Sequence, residues 1–246
     1  MKAKSGVVGF SRGSVGLLGI IGAMACSDVG AELETTAVTR QGLSYSTVTV
    51  ADATIMSGLG NVGANPNCSA KSALGSFVRS CLMRWNLTAI PPGSTVTSAT
   101  ITLQVTDISL QPFNAYRVLP AWSELQATWA LRQTGITWQI PGATGPGDRD
   151  MIMGPWIFPG AAPQDIVLDQ TGLAVVKSWV DFPGTNRGII IASDTATDTV
   201  MFASRENLDP IARPRLTVEY VPPSGTGGGA GGPGTGGTGG IGGRSG

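Results

Sequence analysis

Alternation of apolar and polar residues is the most regular feature of the middle of the chain. It is clearest in Ser94–Thr106, where Ala99, Ile101, Leu103 and Val105 occupy every second position and threonine or glutamine fills the positions between them. A period of two places the apolar residues on one face of a β-strand and the polar residues on the other. The segment therefore predicts a strand with one buried face and one solvated face.

Further short runs rich in β-branched or aromatic residues are separated by Gly, Pro, Asp and Asn, which favour turns. About eight short strands joined in this way favour an all-β domain, most simply a jelly-roll-type antiparallel β-sandwich. The predicted strands are Thr47–Met56, Phe77–Leu87, Ser94–Thr106, Phe113–Leu119, Asp165–Asp169, Ile189–Ala192, Val200–Ser204 and Arg215–Tyr220.

One helix and two long loops interrupt the strand pattern. Leu173–Phe182 has apolar residues at the spacing of a helix face, and Asp169 or Thr171 could cap its N-terminus. Ser57–Ser72 and Ile140–Pro163 are rich in Gly and Pro, and we expect both to be surface loops.

The first 25 residues have the layout of a secretory signal peptide. Three cations, Lys2, Lys4 and Arg12, precede the uncharged run Ser14–Ala25. That run is shorter than the roughly 20 apolar residues of a permanent membrane-spanning helix. We therefore expect an exported protein, in the cell envelope or outside the cell.

Cys26 follows Ala23-Met24-Ala25, and these residues resemble a bacterial lipobox in which Ala23 replaces the usual Leu. The same three residues form an A-x-A exit for ordinary signal peptidase, so full secretion stays open. A lipid on Cys26 would be the chain's contact with the membrane. It would leave Cys68 and Cys81 to form a disulfide, although two separate thiols, with Cys81 a small core residue, are the alternative.

Composition divides the rest of the chain into three parts. Residues 26–43 are expected to be a spacer, residues 44–222 a folded domain, and the Gly-rich residues 223–246 a disordered tail. The folded part is long enough for one domain with a substantial core.

Charge and composition exclude several functions. The sequence has 16 basic and 16 acidic residues, and cleavage after Ala25 would remove three cations, leaving a net charge of −3. No basic stripe is present that would attract nucleic acid. The chain has no histidine, the usual general base and zinc ligand. These features favour a protein that is not an enzyme and does not bind nucleic acid.

Carboxylates offer two other kinds of chemistry. Glu124 and Glu206 could serve a glycosidase in principle, but no spacing singles out a pair. Neither local cluster of aspartates has the ligand count of a recognised calcium loop. No cofactor is therefore predicted, while structural calcium stays open. The two clusters are Asp194 with Asp198, and Asp148 with Asp150.

A series of motifs runs through the folded part in a characteristic order. They are ADATI (Ala51–Ile55), the Asn-rich loop with Asn61, LMRWNL (Leu82–Leu87), IPPGSTVTSATITL (Ile90–Leu103), YRVLPAWSELQATW (Tyr116–Trp129), GITW (Gly135–Trp138), VVKSWV (Val175–Val180), NRGIII (Asn186–Ile191), SRE and PRLTVEY. Across about Ser44–Val221 the chain thereby resembles the DNRLRE family, a bacterial extracellular domain grouped with carbohydrate-binding module family 96.

The resemblance implies a jelly-roll sandwich that binds polysaccharide, with alginate the known type of ligand. Two departures bear on contacts: Trp85-Asn86-Leu87 stands in place of Phe-Asp-Leu, and Ala130 in place of Asn. The family's Asp, Asn, Arg and Arg-Glu positions correspond to Asp52, Asn61, Arg84, Arg205 and Glu206.

Arg84, Arg205 and Glu206 allow two interpretations. In the structural one, an arginine pairs with a neighbouring carboxylate and ties strands or turns together. In the functional one, the planar guanidinium groups bind carboxylates of an acidic sugar polymer. Arg84 lies within an apolar run, where a buried charge needs a partner.

Tryptophan rings can stack on sugar rings. Trp138 and Trp156 flank the predicted Gly/Pro-rich loop and are the expected candidates for an exposed platform. The other four tryptophans are expected in the core: Trp85, Trp122, Trp129 and Trp179.

The leading hypothesis is an exported, non-catalytic carbohydrate-binding module for a polysaccharide, acidic polymers included. The alternative is a structural or adhesive cell-surface domain without a sugar ligand.

Overall fold

In a computed structural model of the chain, the structure is described for residues 41–72 and 77–224. The predicted signal peptide, the lipidation site at Cys26, the spacer as far as residue 40 and the tail from residue 225 lie outside these ranges.

The described residues form twelve β-strands and one α-helix, followed by a single 3-10 turn. The elements are β1 (Leu43–Met56), β2 (Asn67–Ala70), β3 (Arg79–Trp85), β4 (Thr95–Asp107), β5 (Ser109–Val118), β6 (Leu131–Gln133), β7 (Ile136–Thr137), β8 (Arg149–Phe158), β9 (Pro163–Val167), α1 (Gln170–Asp181), the turn Pro183–Thr185, β10 (Ile189–Ala192), β11 (Val200–Ala203) and β12 (Arg215–Val221).

The predicted antiparallel β-sandwich is confirmed. One sheet has the order β1–β12–β4–β9 and the other the order β3–β10–β5–β8, with all pairings antiparallel. β11 pairs with the end of β4 beyond β12, and β2 pairs with β11. Strands that are neighbours in one sheet are thus distant in sequence, as expected of a jelly roll.

β1 belongs to both sheets. Its first half, Leu43–Val48, pairs with β12, and its second half, Thr49–Met56, pairs with β3. The β1–β3 pairing has a register shift between Thr49 and Ala51, close to the junction of the two halves, and such a bulge bends the strand from one sheet to the other. This corner positions the candidate site.

The main core lies between the sheets. Ile101 and Leu216 point inward, as predicted, and are almost fully buried, facing residues such as Ile189 of the second sheet. α1 packs against this core through Val176 and Trp179.

The predicted helix is confirmed, as is one of its two candidate caps. α1 covers Gln170–Asp181, and Gly172 N donates to the Asp169 carboxylate at 2.9 Å. The other candidate, Thr171, lies inside the helix. None of the helical segments within the described ranges has the length and apolar character needed to cross a bilayer.

A second core covers the outer face of the β3–β10–β5 sheet. The connection 119–148 folds over this face, and Trp122 and Trp138 pack there against Leu82, Tyr116 and Ile190. β3 and β10 of the second sheet are therefore buried on both faces. The rim of this covering connection forms one wall of the candidate site.

Two segments that were predicted to be loops contain strands. All of β8 and the first residue of β9 fall within Ile140–Pro163, and β2 falls within Ser57–Ser72. β8 lies at the edge of its sheet, where Gly and Pro are tolerated, and it still buries Met153 and Phe158. The composition of these segments predicts loops, because edge strands tolerate the Gly and Pro residues that are also typical of turns.

The predicted disulfide is confirmed. The Cys68 and Cys81 sulfur atoms are 2.06 Å apart, and both residues are buried. Cys68 lies in β2, which joins the first sheet through β11, and Cys81 lies in β3 of the second sheet. The bond therefore links the two layers.

Candidate functional site

Four charged residues meet beside the bend of β1. Arg205 Nε donates to Glu206 Oε1 at 2.7 Å and lies 3.1 Å from Glu124 Oε1. The Arg205 backbone N–H donates to Asp52 Oδ2 at 2.7 Å, and the Asp52 N–H donates to Glu124 Oε1 at 2.9 Å. The ionic pair predicted for Arg205 and Glu206 is present. We call these four residues the carboxylate cluster.

Neighbouring polar groups fix the loops around the carboxylate cluster. Asn61 is exposed, and its Nδ2 donates to the carbonyls of Glu124 and Ala127, both at 2.7 Å, so this side chain holds the covering connection in place. The Ser204 hydroxyl donates to the Asn65 carbonyl at 2.7 Å and lies 3.2 Å from a Glu206 oxygen. The cluster therefore joins four separate parts of the chain.

Burial changes the protonation of the carboxylate cluster. Burial raises the pKa of Asp52 to about 7; the hydrogen bond from the Arg205 backbone opposes this shift, and the negative charges of Glu206 and Glu124 add to it. The pKa of Glu124 is also raised, chiefly by burial. Asp52 therefore titrates near neutral pH.

The carboxylate cluster supports the structural interpretation for Arg205 and Glu206. Oxygens of Asp52, Glu124 and Glu206 lie within 4.8 Å of one another, a grouping that could hold a cation. The Arg205 guanidinium already contacts two of these carboxylates, and its third nitrogen contact, from Nη1 to the Val50 carbonyl, is 2.6 Å. Arg205 thus supplies the positive charge that the carboxylates require.

The two aspartate clusters considered for calcium have other partners. Asp148 accepts three backbone N–H groups between 2.8 and 3.1 Å, while Asp150 forms a bidentate pair with Arg117. Asp194 is largely exposed and lies 3.8 Å from Arg149, and Asp198 accepts from the next backbone N–H. Their carboxylates therefore do not converge on one point with several free oxygens.

Arg84 is separate from the carboxylate cluster. It pairs with Ala51 across β1 and β3, and its guanidinium lies 5.6 Å from the centre of the Trp122 ring. Burial lowers the pKa of Arg84, the positive charge of Arg187 lowers it further, and Glu124 opposes both. Arg84 and Arg187 are therefore close enough to repel each other.

Three linked depressions run past these two arginines. The first, of about 390 Å³, is lined by Arg84, Trp122 and Glu124 among others. It shares Val50 and Arg84 with the second, of about 310 Å³. The second shares Arg187 with the third, of about 270 Å³. We call the three together the arginine groove.

The arginine groove carries unpaired positive charge. Neither Arg84 nor Arg187 has a carboxylate within 4.0 Å in residues 41–72 and 77–224. Both side chains are half-buried, and the polar residues Asn86 and Thr88 line the second depression together with them. This arrangement can bind anionic groups that alternate with hydroxyl groups.

The expectation of an exposed Trp138 is wrong. Trp138 is 2% exposed in the second core, and its Nε1 donates to the Thr128 carbonyl at 3.0 Å. The covering connection gives the ring more burial than a loop rim would. Trp156 is half-buried at the edge strand β8 and packs against the main core, away from the arginine groove.

Two residues of these sites, Glu124 and Arg187, have no distinguishing signal in the sequence. Glu124 is one of many carboxylates, and Arg187 is part of the NRGIII motif. The positions 52, 61, 205 and 206 do converge, but Arg84 lies in the arginine groove instead. No local pattern indicates that residues 124 and 52 meet, because 72 positions separate them.

No protein-family model and no curated protein matches the chain.

Proposed function

We propose that the domain is a non-catalytic, extracellular carbohydrate-binding module, and that its ligand is a polysaccharide bearing carboxylates. The polymer lies along the arginine groove, with carboxylates at Arg84 and Arg187. The observation that carries the proposal is the position of these two arginines at the junctions of three linked depressions.

The charge arrangement favours an acidic ligand over a neutral one. Two neighbouring guanidinium groups repel each other, so an anion placed between or beside them relieves the repulsion and gains charge-assisted hydrogen bonds. A neutral sugar gains neither. Glu124 lies in the first depression, and its carboxylate is turned toward Arg205 and the Asp52 N–H.

The linked shape favours a polymer over a small molecule. Neighbouring depressions share a lining arginine, either Arg84 or Arg187. The groove is therefore a series of connected depressions rather than one enclosed pocket. A chain of uronic acid residues presents carboxylates and hydroxyl groups in a repeating series of its own. The resemblance to the DNRLRE family, proposed on sequence motifs, points to the same class of ligand.

The carboxylate cluster has a supporting role in this proposal. It joins β1, the covering connection and the segment after β11, and the first two of these line one end of the arginine groove. Because its charged side chains contact each other and the backbone, we assign them to positioning and not to chemistry. Export through the signal peptide and anchoring through Cys26 belong to the same proposal.

The first test is affinity electrophoresis in gels that contain alginate, polygalacturonate or neutral dextran. We expect the acidic polymers to retard the protein and dextran not to do so. Arg84→Gln and Arg187→Gln should each weaken binding about fivefold, equivalent to roughly 1 kcal/mol. The double variant should migrate as if no polymer were present.

Arg215→Gln is the matched control, because Arg215 lies on β12 of the other sheet and does not line the arginine groove. It should bind like the wild type. Absence of retardation by either acidic polymer would favour the structural or adhesive role. Release of shortened products from either polymer would contradict the non-catalytic assignment.

A further inference from the structure

A separate cavity lies between β1, β2, β3 and β11. It holds about 340 Å³, near the lower end of the range for small-molecule sites. No residue that lines it also lines the arginine groove. Its lining residues are Thr54, Met56, Leu59, Val62, Asn65, Asn67, Ser69, Arg79 and Met201.

Arg79 lines the cavity with a guanidinium group. Its Nε atom is buried and has no hydrogen-bond partner, and no carboxylate of the described segments lies within 4.0 Å of its guanidinium. A buried guanidinium N–H without an acceptor is unfavourable, since burial removes its hydrogen bond to water and the protein provides no replacement. Arg79 as a whole is half-buried and lines the cavity, so a carboxylate that enters the cavity can accept hydrogen bonds from this guanidinium.

The other polar groups of the cavity leave donors for hydroxyl or carboxylate oxygens. The Asn65 and Asn67 side-chain oxygens accept hydrogen bonds from the fold, at 3.1 and 3.3 Å. Among the hydrogen bonds of the described residues, neither side-chain nitrogen donates. The Thr54 hydroxyl oxygen accepts from the Ser69 backbone N–H at 2.9 Å.

The remaining wall of the cavity is apolar. Met56, Leu59, Val62 and Met201 provide flexible or aliphatic surface opposite the polar groups. A ligand that fits this lining has a carboxylate, a few hydroxyl groups and a C–H face. That combination is typical of a single uronic acid ring.

The cavity and the arginine groove lie at opposite ends of β3. Arg79 begins the strand, and Arg84 is five residues further, which corresponds to about 17 Å at roughly 3.3 Å per residue. A single sugar ring cannot contact both arginines. Binding in the cavity is thus distinct from binding in the arginine groove.

From these features we infer that the Arg79 cavity is a second site, which takes one small carboxylate-bearing ring. The inference does not depend on the polymer-binding function, because it uses different residues. Arg79 binds the carboxylate, Asn65 and Asn67 donate to its oxygens or to hydroxyl groups, and the two methionines contact the ring.

The test is titration of the ¹⁵N-labelled protein with galacturonate, and with galactose as the neutral probe, followed by NMR. Galacturonate should shift the amides of Asn67 and Ser69 with saturable binding, at least tenfold tighter than galactose. Arg79→Gln should weaken galacturonate binding at least tenfold, whereas Arg84→Gln should leave it unchanged.

A second variant keeps the test decisive if Arg79→Gln does not fold. Asn67→Asp places a carboxylate at the cavity, where it would pair with Arg79 and repel the ligand, so galacturonate binding should again be lost. The inference is overturned if galacturonate fails to shift these amides, or if both cavity variants bind it like the wild type. Shifts confined to residues around Arg84 would also overturn it, while leaving the polymer-binding proposal intact.

Discussion

Asp52 is a buried residue whose ionisation is coupled to folding. Its pKa is about 7 in the folded protein against an ordinary value of 3.8, mainly because it is buried. Below about pH 4 the carboxyl group is protonated in both the folded and the unfolded state. As the pH rises toward 7, the unfolded state loses its proton first, so the free energy of unfolding decreases; above pH 7 the effect is complete.

Asp52→Asn should therefore flatten the dependence of stability on pH. Relative to this variant, the wild type should lose about 2–4 kcal/mol of unfolding free energy between pH 4 and 7. Urea unfolding at several pH values, followed by tryptophan fluorescence, measures the difference. Parallel curves for the two proteins would contradict the raised pKa.

Gly188 lies at a position where the backbone conformation and its surroundings require glycine. It has φ +77°, and a Cβ there would lie 2.0 Å from the Met83 carbonyl oxygen. Gly188→Ala should destabilise the protein by about 3 kcal/mol, because strain and a backbone clash add. Gly184→Ala meets nothing within 4 Å and should change stability by less than about 0.5 kcal/mol. Thermal unfolding of both variants checks this contrast.

At the residue scale, the sequence identifies some of the residues of the carboxylate cluster and its surroundings. Asp52, Asn61, Arg205 and Glu206 were found through motif resemblance, and the structure brings them together. Glu124 was not singled out, since its contact with Asp52 is created by the fold. Trp138 was misplaced because local composition does not show which face of a connection turns inward.

At the scale of elements, the disulfide has the clearest effect that can be measured. It joins β2 to β3 and closes a loop with a sequence separation of 13. The double variant Cys68→Ala/Cys81→Ala should lose about 3 kcal/mol, since the unfolded chain regains its freedom. Equilibrium urea unfolding would measure the loss.

Chemical reduction of the wild type provides the control for the double variant. Under reducing denaturing conditions the wild type should unfold at a midpoint close to that of the double variant. If the oxidised wild type and the double variant share one midpoint, the bond contributes nothing to stability.

Central strands were predicted well and edge strands poorly. β4, β10 and β12 sit inside their sheets and show unbroken alternation or apolar runs, so their bounds were found to within a residue or two. β2 and β8 lie at edges, where Asn, Gly and Pro replace the alternating pattern. The alternation of apolar and polar residues therefore does not predict these two edge strands.

At the scale of the whole domain, the two-layered fold and its second core create the arginine groove. The bend of β1 brings Val50 to a corner, and the covering connection places Trp122 beside Arg84. The sequence pattern predicts the two layers, because the alternation of apolar and polar residues in each strand indicates which face of that strand is buried. It does not predict the groove, which depends on how the 119–148 connection lies on the second sheet.

The most direct test of the central claim is NMR mapping with uronic acid oligomers of increasing length. If the arginine groove binds the polymer, a tetramer or longer oligomer should shift the side-chain Nε–H signals of Arg84 and Arg187, with affinity rising with length. The Arg215 Nε–H signal should stay unchanged throughout. Shifts that leave Arg84 and Arg187 unaffected, or no shifts with any oligomer, would contradict the account.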